Sequence, residues 1–376
     1  MARLRALILP VVFIALALAV YNLRVSREMV DFEVYRTAGR RALMGEPLYQ
    51  SGDGHYTFKY MPAFAVAMVP AALAGRDAAR VGWFAMSCAA LVLLLRWSVA
   101  TLPARRWSTR SLVLLTVLFM AKFYAHELSL GQSNLLLAVL LMAGLGALQL
   151  ESPKVAAVAI GLAVFVKPYA LILLPWLVAA TGLTSGLIAL GTMAVGLLLP
   201  VPLYGWHGNI DLLVEWWRIV STSTAPNLLG ADNISLAAMW AKWIGIGRPA
   251  ALLATLTAAL LLGAAATMFR QRERVNEPEY LEFAFLCLLI PLISPQGWDY
   301  VLLLGTPAVV VTLDRWRELR TPWRVASATA IAVMGLSVFD LMGRTAYGQF
   351  MALSVVSVCA IMLAVTLAQM RLRALA

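Results

Sequence analysis

The chain has 376 residues, of which 62% are hydrophobic and 13% are charged, whereas soluble domains usually carry about 25% charged residues. Its mean hydropathy is +0.82, and several apolar runs approach the roughly 20 residues that a spanning helix needs. These runs exclude a transmembrane β-barrel, whose strands would alternate apolar and polar residues. Composition therefore predicts an all-α polytopic membrane protein that forms one integral membrane domain over residues 1–376.

The chain has more basic than acidic residues, and the basic residues lie beside the apolar segments. The net charge is +11, with 25 Arg and 5 Lys, and the arginines lie in small groups beside apolar runs, as the cytoplasmic loops of membrane proteins require. This pattern favours membrane lipids as partners and argues against nucleic acid. The three Cys lie in apolar segments and the three His are too dispersed for a zinc site, so no metal ligand is assigned.

Thirteen apolar segments are candidate spans, and several are short enough to be half-spans or parts of a broken helix. The first follows Arg3 and Arg5, lacks a small-residue cleavage site and is predicted to be a retained anchor. We therefore expect a bundle of about 12–13 transmembrane helices. The candidates are 7–23, 61–74, 81–102, 111–126, 132–149, 153–167, 168–181, 183–203, 249–269, 281–293, 298–314, 323–340 and 349–370.

The charges at the two ends predict that both termini are cytoplasmic in a bacterial-type inner membrane. The segments 24–60 and 204–232 then become long extracytoplasmic loops. The number of membrane crossings before residue 204 differs by one between a count from the N-terminus and a count from the C-terminus. Either 153–181 is a single helix broken at Lys167-Pro168, or 61–102 holds a re-entrant segment. The second alternative is favoured, and it places Arg105 and Arg106 inside.

The polar segment 28–60 is too long for a simple turn and is predicted to fold as a helix followed by turns. Asp31 and Tyr35 would share one helical face. A carboxylate on a helix at the membrane surface can act as a general base toward a bound hydroxyl. The alternative is that Asp31 only pairs with Arg27, one turn earlier, and spacing alone favours that alternative.

A second polar segment, 126–134, lies between two apolar helices. Gly131 fits a tight turn, and Ser133 or Asn134 could cap the next helix. The segment offers hydrogen-bonding groups for a sugar or a phosphate, and helix capping is an equal alternative.

Lys167 precedes Pro168 within a long apolar run. A lysine in such a run is costly and is by default functional, with an anion as its natural partner. Pro168 should disrupt the helix there. The alternative is a lysine at a helix end that extends its ammonium group to the membrane surface.

Two further polar segments remain. In 204–235, Asp211, Glu215 and Arg218 have helical spacing, which predicts an amphipathic helix that also carries Trp216 and Trp217. Those rings suit either a site or an anchoring belt. In 294–300, Asp299 heads the next helix, where its charge suits the helix dipole. Five polar segments on one face predict an outer site. A transporter or lipid flippase is the main alternative, although it should show more carboxylates within spans, and a noncatalytic scaffold is a third.

The order of these motifs resembles glycosyltransferase family 87, a polyprenyl-phosphate-mannose-dependent group in the GT-C superfamily of membrane enzymes. The similarity covers nearly the whole chain, and its strongest part is the first loop. The motifs are DFEVYRTAGRRALMGEPLY (31–49), YMPAF (60–64), GQSNLLLA (131–138), KPYALILLP (167–175), NISL (233–236) and SPQGW (294–298).

This resemblance implies a GT-C-type bundle and an inverting transfer from a polyprenyl-phosphate-sugar donor, with mannose as the sugar. The acceptor would be a glycolipid or another cell-envelope glycan on the extracytoplasmic face. The resemblance also implies Asp31 as general base, Lys167 at the donor phosphate, and a sugar or acceptor site formed by Gln132, Asn134 and Asn233.

Residue type and position add further candidates to the site. Arg36 and Lys59 are candidates for the donor phosphate, and Tyr35, Glu127, His207, Gln296 and Asp299 for the sugar or acceptor. Asp299 departs from the family pattern, which often has His after the Trp of this turn. No cofactor is assigned, and a divalent cation stays open.

Overall fold

The computed structural model describes residues 19–373, so most of the predicted first span lies outside the described residues. Within that range the protein is helical, and the only extended pairing is an isolated bridge between Asn233 and Trp298. The predicted all-α fold class is thus confirmed. The helices are α1 (Val30–Met44), α2 (Pro62–Ala67), α3 (Val69–Leu73), α4 (Arg76–Ala100), α5 (Thr109–Leu130), α6 (Asn134–Gln149), α7 (Pro153–Val166), α8 (Leu174–Thr181), α9 (Leu183–Leu198), α10 (Val201–Asn227), α11 (Leu236–Ile244), α12 (Arg248–Arg270), α13 (Glu279–Ile293), α14 (Thr306–Asp314), α15 (Thr321–Leu336), α16 (Phe339–Ala352) and α17 (Val355–Arg373).

Four of the described helices, α4, α5, α12 and α17, are long and apolar enough to cross a membrane. Two bent pairs raise that number to six if each pair counts as one span: α9 with α10, bent by 99°, and α15 with α16, bent by 105°. This number is smaller than the twelve or thirteen expected from sequence. The reason is that several candidate segments form apolar helices of 16 residues or fewer, such as α6 and α7.

The polar segment 28–60 folds as predicted, as a helix followed by turns. Helix α1 ends at Gly45, whose φ of +66° is the left-handed conformation that glycine adopts without a steric penalty. A 3₁₀ turn follows over Ser51–Tyr56. The chain then enters α2 through Pro62, a residue suited to the first turn of a helix.

Helix α1 is fixed against the rest of the bundle at both ends. At its start, the Met29 amide donates to the Ser129 carbonyl at 2.8 Å. Gly131 lies so close that a β-carbon there would be 2.8 Å from Phe32 Cβ. Toward its other end, a β-carbon on Gly39 would lie 2.5 Å from the Met68 carbonyl oxygen. Close packing against two separate segments therefore sets the orientation of α1.

The break predicted at Lys167-Pro168 is confirmed. Helix α7 ends at Val166, and Lys167 is extended with φ −152° and ψ 129°, as expected for a residue that precedes proline. A 3₁₀ segment, Pro168–Leu173, then leads into α8. The break places the Lys167 side chain beside the turn between α5 and α6.

The predicted loop 204–232 is instead mostly helix, because α10 continues to Asn227. Gly205, with φ +69° and ψ 177°, marks a kink near its start. No proline interrupts the chain between Pro202 and Pro226, so the helical spacing around the two tryptophans extends over several turns. The predicted amphipathic helix is therefore present and longer than expected.

The opposite end of the bundle is joined by polar contacts. The Asp314 carboxylate accepts bonds from the Arg106 and Trp107 amides at 2.8–3.0 Å, and Arg106 pairs with Glu318 at 2.8 Å. Arg106 and Glu318 therefore lie at the same end of the bundle. The alternative in which 61–102 holds a re-entrant segment requires this, because it places Arg106 on the same side of the membrane as Glu318. Helices α4 and α5 each run between this end and the end that carries α1.

Candidate active site

A cavity of about 810 Å³ lies between α1, the α5–α6 turn, the break after α7, α10 and the turn after α13. Its lining combines polar and apolar side chains. Of the predicted site residues, the cavity brings six together from distant parts of the chain. They are Asp31, Tyr35, Lys59, Gln132, Lys167 and Gln296.

The polar groups of the cavity meet at the buried amide of Gln132. The Tyr35 and Tyr60 hydroxyls are 2.6 Å apart, so one donates to the other and the second donates to Gln132 Oε1, which lies 3.0 Å from Tyr35 and 3.2 Å from Tyr60. Lys167 Nζ donates to the same oxygen at 3.4 Å. Gln132 Nε2 donates to the Tyr300 hydroxyl at 3.1 Å. Burial raises the pKa values of Tyr35 and Tyr60, so both phenols keep the protons that they donate.

Lys167 is the least satisfied member of this network. An ammonium group has three donors, and Lys167 Nζ makes one hydrogen bond, to Gln132 Oε1 at 3.4 Å. Its ammonium group lies 5.6 Å from the ring centre of Tyr60 and 5.8 Å from that of Tyr169. The carboxylates of Glu127 and Asp31 both act electrostatically on this ammonium group. The side chain therefore presents a buried cation with donor capacity left for an anion.

Asp31 lies half-buried in the first turn of α1. It is one turn before Tyr35, and both residues line the cavity, as the predicted helical face requires. Lys59 enters from the segment before α2, where the Trp216 indole donates to its carbonyl at 3.2 Å. Burial lowers the pKa of Lys59, while the Asp31 charge opposes that shift.

Glu127 and Asn134 lie behind the lining and contact each other. The Glu127 carboxylate accepts from Asn134 Nδ2 at 2.7 Å and from the Leu135 amide at 3.0 Å. Ser133 is the N-cap of α6 but makes no capping bond with its side chain, so the expectation that Ser133 or Asn134 caps this helix is wrong. The fully buried Glu127 carboxylate, in the last turn of α5, accepts a backbone N–H bond from α6 instead. A negative charge at that position suits the positive end of the α6 dipole.

Asp299 is also behind the lining, where it contacts His126. His126 Nδ1 lies 3.2 Å from Asp299 Oδ1, and the imidazole packs edge-on against Tyr300. The Asp299 amide donates to the Asp232 carbonyl at 2.9 Å. His126 and Asp232 themselves line the cavity. Asp299 therefore orients an imidazole that faces the cavity from the side of α5.

Asn233 connects the end of α10 to the turn after α13 and does not line the cavity. Its Nδ2 donates to the Pro295 carbonyl at 2.9 Å and to the Asn227 carbonyl at 3.1 Å, and its Oδ1 accepts from the Ser235 amide at 3.1 Å. Gln296, which does line the cavity, donates to the Ser223 hydroxyl at 3.0 Å. These bonds hold the turn after α13 against the end of α10.

Two other predicted site residues are absent from the lining. His207 is exposed near the kink of α10, and Arg36 is half-buried on α1. Neither contributes to the wall of the cavity.

Sequence reasoning did not select several residues that form the wall. Each tyrosine among them is within two residues, in the sequence, of a polar residue that was predicted to be in the site, and this proximity could have identified it. These residues are Tyr60, His126, Tyr169, Asp232 and Tyr300. Trp216, whose ring was expected to suit either a site or an anchoring belt, also lines the cavity.

The lining also has apolar side chains. They include Val166, Ile172 and Ile293, together with Leu262 of the candidate spanning helix α12. Leu262 is 40% exposed. Among the described residues, no group of three or more His, Cys, Asp or Glu side chains is arranged to hold a metal ion.

Comparison with known proteins provides the assignment. The sequence model of glycosyltransferase family 87 matches residues 58–295, more than half of the chain. No curated protein and no solved structure matches the chain. The matched range includes Lys59, Gln132 and Lys167 but begins after Asp31, so the position of Asp31 is known from the geometry above. The chain belongs to glycosyltransferase family 87 and is an integral membrane glycosyltransferase.

Proposed function

We propose that this glycosyltransferase moves a sugar, mannose by family resemblance, from a polyprenyl-phosphate donor to a glycolipid or other cell-envelope glycan. The transfer takes place at the extracytoplasmic face of the membrane. The observation that carries the proposal is that Asp31 and the buried ammonium of Lys167 line one cavity. Family membership favours this function over a transporter or a scaffold.

The chemistry needs a base and a cation on different sides of the reacting carbon. Asp31 takes the proton of the acceptor hydroxyl as its oxygen bonds to the anomeric carbon. The bond from that carbon to the phosphate oxygen breaks, and polyprenyl phosphate leaves with the electron pair. Lys167 stabilises the negative charge that develops on the leaving phosphate. A single displacement of this kind inverts the anomeric configuration.

The lining suits both parts of the donor. The sugar and phosphate would contact the polar groups around Gln132, where Tyr35 and Tyr60 supply hydroxyl groups. The first isoprene units would contact apolar side chains such as Ile172 and Leu262. No nucleotide is needed, because the donor phosphate is already attached to a lipid.

A purified-protein assay tests the proposal directly. The protein in lipid nanodiscs is given polyprenyl-phosphate-mannose or GDP-mannose, with a membrane glycolipid extract as acceptor. We expect transfer from the lipid-linked donor alone and a product with the opposite anomeric configuration. Transfer from GDP-mannose, or retention of configuration, would contradict the proposal.

A further inference from the structure

Helix α10 runs across the end of the bundle that carries α1. It follows α9 after a bend of 99°. Near its start, the Tyr204 hydroxyl donates to the Glu46 carbonyl at 2.8 Å, and further along, the Trp216 indole donates to the Lys59 carbonyl at 3.2 Å. The side of α10 that carries Trp216 therefore faces the protein.

A row of apolar side chains on α10 is exposed, and we call it the apolar stripe. Its members recur every three or four residues after the kink at Gly205, so they share one helical face. They are 45–65% exposed, and they extend over about 17 Å at 1.5 Å per residue. They are Trp206, Ile210, Val214 and Trp217.

Exposed polar side chains lie beside the apolar stripe on the same helix. Helical spacing places them about 90° around the axis from the stripe. They are His207, Asp211, Arg218 and Thr222. On the other flank of the stripe, Asn209 and Leu212 are buried against the protein. Helix α10 therefore has three faces, of which one packs on the protein, one is apolar and exposed, and one is polar and exposed.

The apolar stripe follows directly on a helix whose exposed surface is also apolar. In α9, Leu187, Leu190 and Val195 are 51–71% exposed, and α9 and α10 together are long and apolar enough to count as one bent span. In an integral membrane protein, such side chains contact lipid chains, because the removal of apolar surface from water is favourable.

The bend sets the direction of α10 relative to the bilayer. Spanning helices are tilted by about 20° on average from the membrane normal, so a helix bent by 99° from one of them lies close to the membrane plane. An apolar face beside a polar face is the pattern of a helix at the membrane surface. Tryptophan, which the stripe has at both of its ends, is enriched at that depth.

We infer that α10 lies along the membrane surface, with the apolar stripe among the lipid chains and the polar face toward water. Trp217 belongs to the stripe and also lines the active cavity. One wall of that cavity is then held at the depth of the lipid headgroups. The inference depends on the protein being in a membrane and does not depend on the proposed reaction.

Collision measurements on nitroxide spin labels test this orientation. The protein, with Cys88, Cys287 and Cys359 replaced by alanine, carries one label at Val214→Cys in the stripe or at Asp211→Cys on the polar face. Each labelled protein is placed in lipid nanodiscs and exposed to oxygen, which concentrates in lipid, or to a nickel chelate, which stays in water. Both labelled positions are exposed, and thermal unfolding checks that each variant is folded.

We expect the ratio of oxygen to nickel collisions to be about 10-fold higher at Val214→Cys than at Asp211→Cys, as for a helix whose apolar face is buried about 5–10 Å into the membrane surface. Ile210→Cys and Arg218→Cys repeat the comparison at a second pair of exposed positions. Equal ratios on the two faces would overturn the inference. Low collision rates with both reagents along the stripe would also overturn it, because they would show that a second protein covers the stripe.

The failures of the two proposals can be distinguished. If wild type transfers no sugar but the two faces of α10 differ as expected, the proposed function falls and the membrane orientation of α10 stands. If transfer occurs with the lipid-linked donor and the two faces give equal ratios, the orientation falls and the proposed function stands.

Discussion

Gln132 connects the hydrogen-bonding groups of the active cavity. One hydroxyl of the Tyr35–Tyr60 pair and the Lys167 ammonium donate to its amide oxygen, and its amide nitrogen donates to Tyr300. Since an ammonium group has three donors and Lys167 uses one on this oxygen, the lysine is held in place with donors left over. A phosphate oxygen entering the cavity can complete its hydrogen bonding without displacing the tyrosines.

Lys167 should therefore matter more for transfer than for folding. We expect Lys167→Gln to lower kcat/KM for the lipid-linked donor by about 10²–10³-fold, the usual cost of losing one charge-stabilising donor. Lys167→Arg keeps the charge and should retain more activity. Equal losses in the two variants, measured in the same transfer assay, would show that the charge is not what the site needs.

Asp232 should make stability depend on pH. Burial raises its pKa above the ordinary 3.8, and the Asp299 carboxylate raises it further. The folded protein therefore holds this proton more tightly than the unfolded chain. Stability is full below the ordinary carboxyl value and falls as the pH rises through the folded pKa.

We accordingly expect Asp232→Asn to raise Tm at pH 7 and to leave it unchanged near pH 3.5, in thermal-shift measurements at both values. Asp211→Asn, at an exposed carboxylate outside the cavity, is the control. A Tm gain for Asp232→Asn that is the same at both pH values would contradict the electrostatic explanation.

At the scale of elements, the orientation of α1 depends on close backbone contacts. An alanine at Gly39 would place its β-carbon 2.5 Å from the Met68 carbonyl oxygen, a backbone atom that cannot move aside freely. We expect Gly39→Ala to lower the free energy of unfolding by about 1–3 kcal/mol. Transfer should fall as well, because α1 carries Asp31.

Gly82→Ala is the matched control, since Gly82 lies within α4 and a β-carbon added there would have no neighbour within 4 Å. Helix propensity alone predicts a gain of up to about 1 kcal/mol there. Both variants can be compared by thermal unfolding in detergent. A loss at Gly82 as large as that at Gly39 would mean that packing against Met68 is not the cause.

The elements that sequence predicted are those with a strong local signal. Pro168 ends α7 because the residue before a proline avoids helical backbone angles, and the spacing of Asp31 and Tyr35 identified one face of α1. Glu127 was not recognised as the cap of α6, because its carboxylate reaches the next helix across a turn. The convergence on Gln132 was not predictable either, since its partners come from four other segments that no spacing rule relates.

At the scale of the whole molecule, the two ends of the bundle should face different compartments. The Ser51–Tyr56 turn lies at the end that holds α1, and Arg106 joins Glu318 at the other. After Cys88, Cys287 and Cys359 are replaced by alanine, cysteines can be placed at the exposed positions Gly52 and Arg320.

An impermeant maleimide should then label Gly52→Cys in intact cells and Arg320→Cys only after permeabilisation. This pattern follows from the positive-inside rule, since arginines gather at the Arg320 end. The reverse pattern would place the active cavity in the cytoplasm and contradict the proposed site of transfer.

The most direct test of the central claim is the transfer rate of Asp31→Asn with polyprenyl-phosphate-mannose as donor. The change removes the base but keeps nearly the same side-chain volume, and Asp211→Asn is the matched control. We predict a loss of about 10²–10⁴-fold, the usual contribution of a positioned general base, with the control near wild type and the Tm of both variants little changed. Transfer by Asp31→Asn at the wild-type rate would contradict the assignment of Asp31 as the base.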